Sequence, residues 1–155
     1  MAMETEKLAL DPPTVVRGVT VPFMKENVAD YFVVEYDASS AAATGTDATA
    51  ESTTTTTTTY HPMVAMLMIT YEWSDWRAGS IHWIQSVYTH PDHRRKGLFG
   101  QLFSFVKKRV DDDPDAAAIR LYAEHDNHSA INTYKKMGLE VEEHYRMMRW
   151  SKLGY

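Results

Sequence analysis

The run from Ile84 to Gly100 (Ile84-Gln85-Ser86-Val87-Tyr88-Thr89-His90-Pro91-Asp92-His93-Arg94-Arg95-Lys96-Gly97-Leu98-Phe99-Gly100) narrows most sharply what this chain can become. A β-rich segment ends at Pro91, a basic glycine-containing loop follows, and an apolar-periodic helix begins at about Gly97. Leu98, Leu102 and Phe105 interleave with Phe99, Phe103, Val106 and Val110, so the helix is expected to bury a broad face. Lys107, Lys108 and Arg109 carry the sign that suits a helix C-terminus. At the other end the first backbone N–H groups have no intrahelical partner. With Arg94, Arg95 and Lys96 beside them, they make an anion site suited to a phosphate or pyrophosphate. On these residues alone, a solvated βα turn with ordinary surface cations accounts for the pattern equally well.

The remaining chain supplies a small α/β domain. Asp11-Pro12 reads as an N-cap and first-turn proline for a helix from about Pro12 to Val21, with Val15, Val16 and Val19 on one face. Tyr31 to Tyr36 is a strand by its β-branched and aromatic content. Residues 38–59 include seven consecutive threonines, Thr53–Thr59, and almost nothing to bury. They read as a disordered low-complexity insertion between two strands, an inert loop rather than a site of threonine modification. Met63 to Trp73 is a near-continuous apolar run, expected to be buried on both faces with Met63, Met66 and Met68 as core. A turn-rich loop with Asp75, Trp76 and Gly79 leads into a third strand, Ile81 to Thr89. Asp111 to Asp115 reads as a solvated acidic loop, Ala118 to Glu124 as a strand, Asn127 to Met137 as a helix, and Val141 to Trp150 as further strand. Asn127 suits an N-cap and Gly138 the C′ position, and the stripe Ala130, Ile131, Tyr134, Met137 points Tyr134 inward.

Composition removes several function classes. At 155 residues the chain is read as a single domain, 1–155. A net charge of −5 argues against nucleic acid as a bulk partner. Without cysteine there is no disulfide, thiolate nucleophile or cysteine metal site. His82, His125 and His128 lack metal-ligand spacing, so no metal is expected. No apolar run approaches a membrane span and the N-terminus has no signal-peptide core, which makes a soluble cytoplasmic protein the default.

Two motifs carry a family resemblance. Val87-x-x-x-Pro91-x-x-Arg94-x-x-Gly97 resembles the acetyl-CoA signature of the GNAT N-acetyltransferases, whose core is Arg/Gln-x-x-Gly-x-Gly/Ala. Phe99 occupies the last Gly/Ala position here, and Gly100 stands one residue late. Asn127-x-x-Ala130-Ile131-x-x-Tyr134-x-x-x-Gly138 resembles the second motif of that family, Asn-x-x-Ala-x-x-x-Tyr-x-x-x-Gly. The resemblance implies a mixed twisted sheet flanked by helices, of class α/β (α+β), with acetyl-CoA entering where two parallel strands splay apart. Only ten residues precede Asp11, and Met1 to Leu10 holds no β-rich run, so the fold is expected to lack the family's first strand. Tyr31–Tyr36 would then lie at an exposed sheet edge, a template for a homodimer or the weak side of a marginal monomer.

The resemblance also assigns roles. Backbone groups of Val87, Tyr88 and Thr89 would pair with the pantetheine arm, strand-fashion. Arg94, Arg95, Lys96, Gly97, Leu98, Phe99 and Gly100 would cradle the pyrophosphate, and Asn127 would contact pantetheine or phosphate. The Tyr134 hydroxyl would lie by the thioester sulfur and protonate the departing thiolate; a plain core tyrosine is the other reading of that residue. The acceptor amine must lose a proton before attack. Thr70-Tyr71-Glu72, Ile84-Gln85-Ser86, Ala123-Glu124 and Ile131-Asn132-x-Tyr134-Lys135 resemble the diamine (spermidine/spermine) acetyltransferase branch, which places a base glutamate where Gln85 stands. Glutamine cannot take a proton, so the base would be Glu72 through water, Glu124, or solvent. Glu72 is favoured, with Gln85 and Trp76 beside it as substrate residues. The implied function is N-acetylation of a small primary amine. A non-catalytic acetyl-CoA sensor, or an enzyme for a protein lysine or N-terminus, is the alternative.

Overall fold

Asp11 starts the first helix, α1 (Pro12–Thr20), as its sequence implies: its Oδ2 accepts from the Thr14 amide at 3.0 Å and from the Thr14 hydroxyl at 2.7 Å. Such a cap is worth about 1 kcal/mol. Pro22 sits in the 3-10 turn Val21–Phe23 that ends the helix. The structure, a computed structural model, describes residues 9–37 and 61–152. The insertion at 38–59 and the first eight residues, with the expectations attached to them, lie outside the described residues. The chain clusters into two units, Met1–Tyr122 and Ala123–Tyr155.

In the first unit, β1 (Ala29–Glu35), β2 (Met63–Ser74) and β3 (Gly79–Thr89) pair antiparallel in succession. Strand β4 (Ala116–Leu121) adds parallel to β3, giving the order β1-β2-β3-β4 with β1 at one edge. A parallel neighbour needs a crossover, which helix α2 (Leu98–Asp112) provides. This is the mixed α/β (α+β) sheet with flanking helices that the sequence implied. Its core is Val64, Ala65, Leu67, Ile69, Ile81, Ile84, Leu102, Phe103 and Val106. Val64 and Ala65 are consecutive, so they face opposite sides of the sheet, and both are buried. Met66 and Met68 are half-buried, and Met63 is exposed. Each fully buried aliphatic contributes roughly 1.5–3 kcal/mol.

Besides Met63, expected in the core but exposed at the start of β2, four expectations need correction. Phe105 is 54% exposed rather than core. It leans on Phe32 of the edge strand, ring centroids 5.4 Å apart, and nothing beyond β1 covers its far side among the described residues. Asp111 and Asp112 belong to α2 rather than to a loop, because Lys107 and Lys108 pair with them at i,i+4, both at 2.6 Å. Strand β4 begins at Ala116 and stops at Leu121, not 118 to 124. Its start is fixed by the tight turn after α2, where Ala116 N donates to Asp113 O at 3.1 Å and Ser80 N to Asp115 O at 2.7 Å. Finally, residues 141–150 form no strand. The Glu142 carboxylate takes the His144 amide at 2.8 Å, a local bond that competes with a sheet ladder.

The second unit holds helix α3 (His128–Lys136). Asn127 Oδ1 accepts from the Ala130 amide at 3.1 Å. At the other end Gly138, at φ 90°, lets its own amide reach Lys135 O at 3.0 Å and that of Leu139 reach Tyr134 O at 3.1 Å. That pair of bonds is a Schellman closure, which a side chain at Gly138 would strain.

Candidate functional site

Strand β3 is interrupted where the site begins. Met68 pairs with Ser86 but Ile69 pairs with Ile84, so Gln85 is the extra residue of a β-bulge. Pairing between β3 and β4 ends at Ile84 opposite Leu121, immediately before it. A bulge bends its strand and sharpens the local twist, which separates parallel neighbours. From Ser86 to Thr89, β3 keeps β2 on one side and has no strand on the other among the described residues. Val87, Tyr88 and Thr89 therefore offer an edge to which an extended ligand can add.

The loop that follows turns back under backbone constraint. Pro91–His93 forms one 3-10 turn, and the Arg94 Nε donates to the Thr89 carbonyl at 3.1 Å, tying the loop to the strand end. Arg95 sits at φ 61° and Gly97 at φ 76°. A left-handed conformation costs a residue with a side chain roughly 1–2 kcal/mol, which glycine avoids at position 97 but Arg95 does not. Left-handed residues in such a turn aim successive N–H groups into one concavity. Among the described residues, the amides of Arg95, Lys96, Gly97, Leu98 and Gly100 donate to no backbone carbonyl, and the first helical bond is Gln101 N to Gly97 O at 3.1 Å. Amides without a backbone partner, a helix N-terminus and the exposed residues Arg95 and Lys96 follow one another in one short stretch, and these are the kinds of donor a pyrophosphate takes. Phe99 turns its ring onto Phe103, centroids 6.0 Å apart.

Just before the strands part, one sheet face carries a polar cluster. The Trp83 indole N–H donates to Glu72 Oε2 at 2.6 Å, and Arg120 Nη1 lies 3.7 Å from Glu72 Oε1. Trp83 stacks on Tyr122 at 4.6 Å, and the Arg120 guanidinium lies 5.8 Å from the centre of the Trp83 ring system. Trp83, Arg120 and Tyr122 were not singled out from the sequence. The signal was available in part, because the short turn between β2 and β3 fixes a register that sets Glu72 opposite Ile81 and diagonal to Trp83. Gln85 is exposed at the bulge. Trp76 is 86% exposed in the hairpin turn, its backbone amide on Asp75 Oδ1 at 2.9 Å, and no hydrogen bond or ring contact joins it to Glu72 or Gln85.

In the second unit, Asn127 spends its side-chain oxygen on the α3 cap. Tyr134 is half-buried, and burial pushes its phenol above the usual 10, so the hydroxyl holds its proton at neutral pH. Among the described residues, no three His, Asp or Glu side chains are grouped to hold a metal, and no helix is long and apolar enough to cross a membrane.

The chain belongs to the acetyltransferase (GNAT) family, whose sequence model matches residues 23–139, and this family uses acetyl-CoA as its acetyl donor. A possible acetyltransferase from Clostridium difficile 630 is 34% identical, superposes with a TM-score of 0.74, and is matched over 97% of this chain and 83% of its own. The fold also recurs in an acetyltransferase from Trypanosoma brucei (14% identity, TM-score 0.61, 97% and 86% covered). A transcriptional regulator from Bacillus halodurans C-125 shares it too (17% identity, TM-score 0.65, 90% and 77% covered). No curated protein matches the sequence.

Proposed function

We propose that this chain is a cytoplasmic N-acetyltransferase that moves the acetyl group of acetyl-CoA to a small primary amine, a polyamine or an amino-acid-like amine. The supporting observation is the bulge at Gln85. It coincides with the end of the β3–β4 pairing and leads, through a strand edge with no partner strand among the described residues, into a loop where the amides of Arg95, Lys96, Gly97, Leu98 and Gly100 donate to no backbone carbonyl. Val87, Tyr88 and Thr89 would hold the pantetheine arm, and the stretch Arg94, Arg95, Lys96, Gly97, Leu98, Phe99, Gly100 the pyrophosphate, with Asn127 as a further contact. Acetyl-CoA, when bound, supplies a thioester carbon open to attack by a neutral amine.

The chain's own groups handle the protons. Tyr134, which keeps its proton well above neutral pH, would donate it to the departing sulfur. Glu72 would take the amine's proton through a water, positioned by the Trp83 indole and Arg120. Gln85 and Trp76 would complete the acceptor side. The matches of Thr70-Tyr71-Glu72 and Ile84-Gln85-Ser86 to the diamine branch favour a polyamine. We read all of 1–155 as one catalytic domain. We also read the β1 edge, which has no further strand beside it among the described residues, as the place where two copies would pair, which light scattering would register as twice the monomer mass.

A second reading, a non-catalytic acetyl-CoA sensor, draws on one observation. Both oxygens of Glu72 already face a donor or a cation, and Gln85 cannot accept a proton. An acceptor panel scored by release of free CoA separates the two. Turnover with small amines and none with lysine peptides is the expected result; no release with any amine would favour the sensor.

A further inference from the structure

An aromatic pair with no task assigned so far stands where β3 and β4 part. The last pair of the two strands is Ile84 opposite Leu121, so Gln85 and Tyr122 are the first residues on either side of the gap. Trp83 sits one pair earlier, opposite Arg120 and diagonal to Tyr122. Residues two apart on a strand share a face, so Arg120 and Tyr122 project to the same side of the sheet, and both meet the Trp83 ring. Tyr122 stacks on it with centroids 4.6 Å apart and planes 29° apart, and the Arg120 guanidinium lies 5.8 Å from its centre.

The polar groups of this cluster are occupied with one another. The Trp83 indole N–H donates to Glu72 Oε2 at 2.6 Å, which fixes the ring plane, and Arg120 Nη1 lies 3.7 Å from Glu72 Oε1. Glu72 and Arg120 offset each other, so the cluster offers a ligand little net charge. What it leaves open is aromatic surface. Tyr122 is 62% exposed although its ring is anchored on Trp83, its one ring contact among the described residues. A ring stacked on one side only presents its other side to hydrocarbon or to positive charge. Here that ring stands at the mouth of the gap, with the candidate base, Glu72, bonded to the same stack.

We propose that Trp83 and Tyr122 form the acceptor platform of the site. The hydrocarbon body of a primary amine lies on the outer face of Tyr122, with its nitrogen toward Glu72 and the gap between Gln85 and Tyr122. The placement of the thioester in that gap rests on the acetyl-transfer function proposed above. Trp83 and Tyr122 are then specificity-determining residues that read the length of the hydrocarbon rather than a second charge on it; a polyamine would be read through its methylene chain. Arg120 contributes in another way. A cation beside the bound nitrogen disfavours the ammonium form and favours the neutral amine, which is the form that attacks.

The test is acetyl transfer to ethylamine, n-butylamine and n-hexylamine, with kcat/KM measured for each on the full chain. Each methylene laid on the rings should raise kcat/KM about two- to fourfold, so that hexylamine exceeds ethylamine by about tenfold or more. Tyr122→Ala should flatten the series, and Tyr122→Phe, which keeps the ring, should preserve it. In the unmodified chain with free CoA present, a nuclear Overhauser contact from the hexyl protons to the Tyr122 ring is expected, a readout that needs neither a variant nor turnover. Turnover that does not depend on chain length, or a series that stays steep in Tyr122→Ala, overturns the platform and leaves acetyl transfer standing. Failure to acetylate any amine while hexylamine still contacts Tyr122 overturns acetyl transfer and supports the platform. Absence of that contact overturns the platform, whether or not an amine is turned over.

Discussion

The two ends of α2 solve opposite electrostatic problems. At Leu98 the helix presents unpaired amides to a loop of cations, so positive charge is piled onto the positive end of the dipole. At Asp112 it ends in three successive aspartates, which piles negative charge onto the negative end. Neither arrangement favours the isolated helix. At the carboxyl end the protein neutralises the excess internally, through Lys107–Asp111 and Lys108–Asp112 at 2.6 Å and Arg109 across to Asp30. At the amino end the described residues hold no carboxylate ion-paired to Arg95 or Lys96. A charge excess left uncompensated beside unpaired amides is what a site for an external anion looks like; one compensated by its neighbours is part of the scaffold.

Four changes would break or sharpen that contrast. The largest effect is expected on chemistry: Tyr134→Phe should lower turnover by about 10²–10⁴-fold while acetyl-CoA affinity stays the same. Stopped-time CoA release beside calorimetry would show it, and wild-type turnover would reduce Tyr134 to a packing residue. Next is Gly97→Val. At φ 76° a β-branched side chain is strained by roughly 1–2 kcal/mol or more, so acetyl-CoA binding should weaken about tenfold and the melt should shift downward. Gly79→Val probes the other end. Its Cβ would meet Ala117 Cβ and the Asp115 carbonyl at 3.0 Å, and a denaturant melt should show a loss of about 1–3 kcal/mol with acetyl-CoA affinity unaltered.

The smallest expected effect is on pH dependence. The His82 pKa is lowered in the folded state, so between that pKa and 6.5 the unfolded chain binds a proton that the folded chain does not. Stability is therefore fully present above pH 6.5, falls as pH drops below it, and stops falling once the folded-state pKa is passed. In His82→Leu the slope in that window should flatten when chemical melts are compared across pH 5 to 7.

What could be read from the chain was whatever a few adjacent residues decide. The Asp11 cap, the glycine at 97, the Asn127 cap and the Gly138 closure all stand where expected, because each depends on contacts within about four residues. The order of strands and helices as far as α3 followed from local pattern for the same reason. The misjudged features depend on partners far away in sequence. Phe105 looks like core in its helical stripe, yet its exposure is set by β1 lying at the sheet edge. Residues 141–150 contain strand-forming side chains, but no alternation tells whether a ladder awaits them. The bulge at Gln85 exists only as a mismatch between two strands, and a single sequence read along its length cannot show it. Glu72 was legible as a candidate, while its partners Trp83 and Arg120 come from two other strands.

Calorimetric titration of acetyl-CoA tests most directly whether the loop at the amino end of α2 is the anion cradle. Arg95→Ala with Lys96→Ala removes two charged donors worth roughly 1.5–3 kcal/mol each, and is predicted to weaken binding about a hundredfold or more while the melt is unchanged. Asp113→Asn, at the opposite end, is predicted to leave acetyl-CoA affinity as it is. Unaltered binding in the double variant would contradict the assignment of the cradle and, with it, the site built on the bulge.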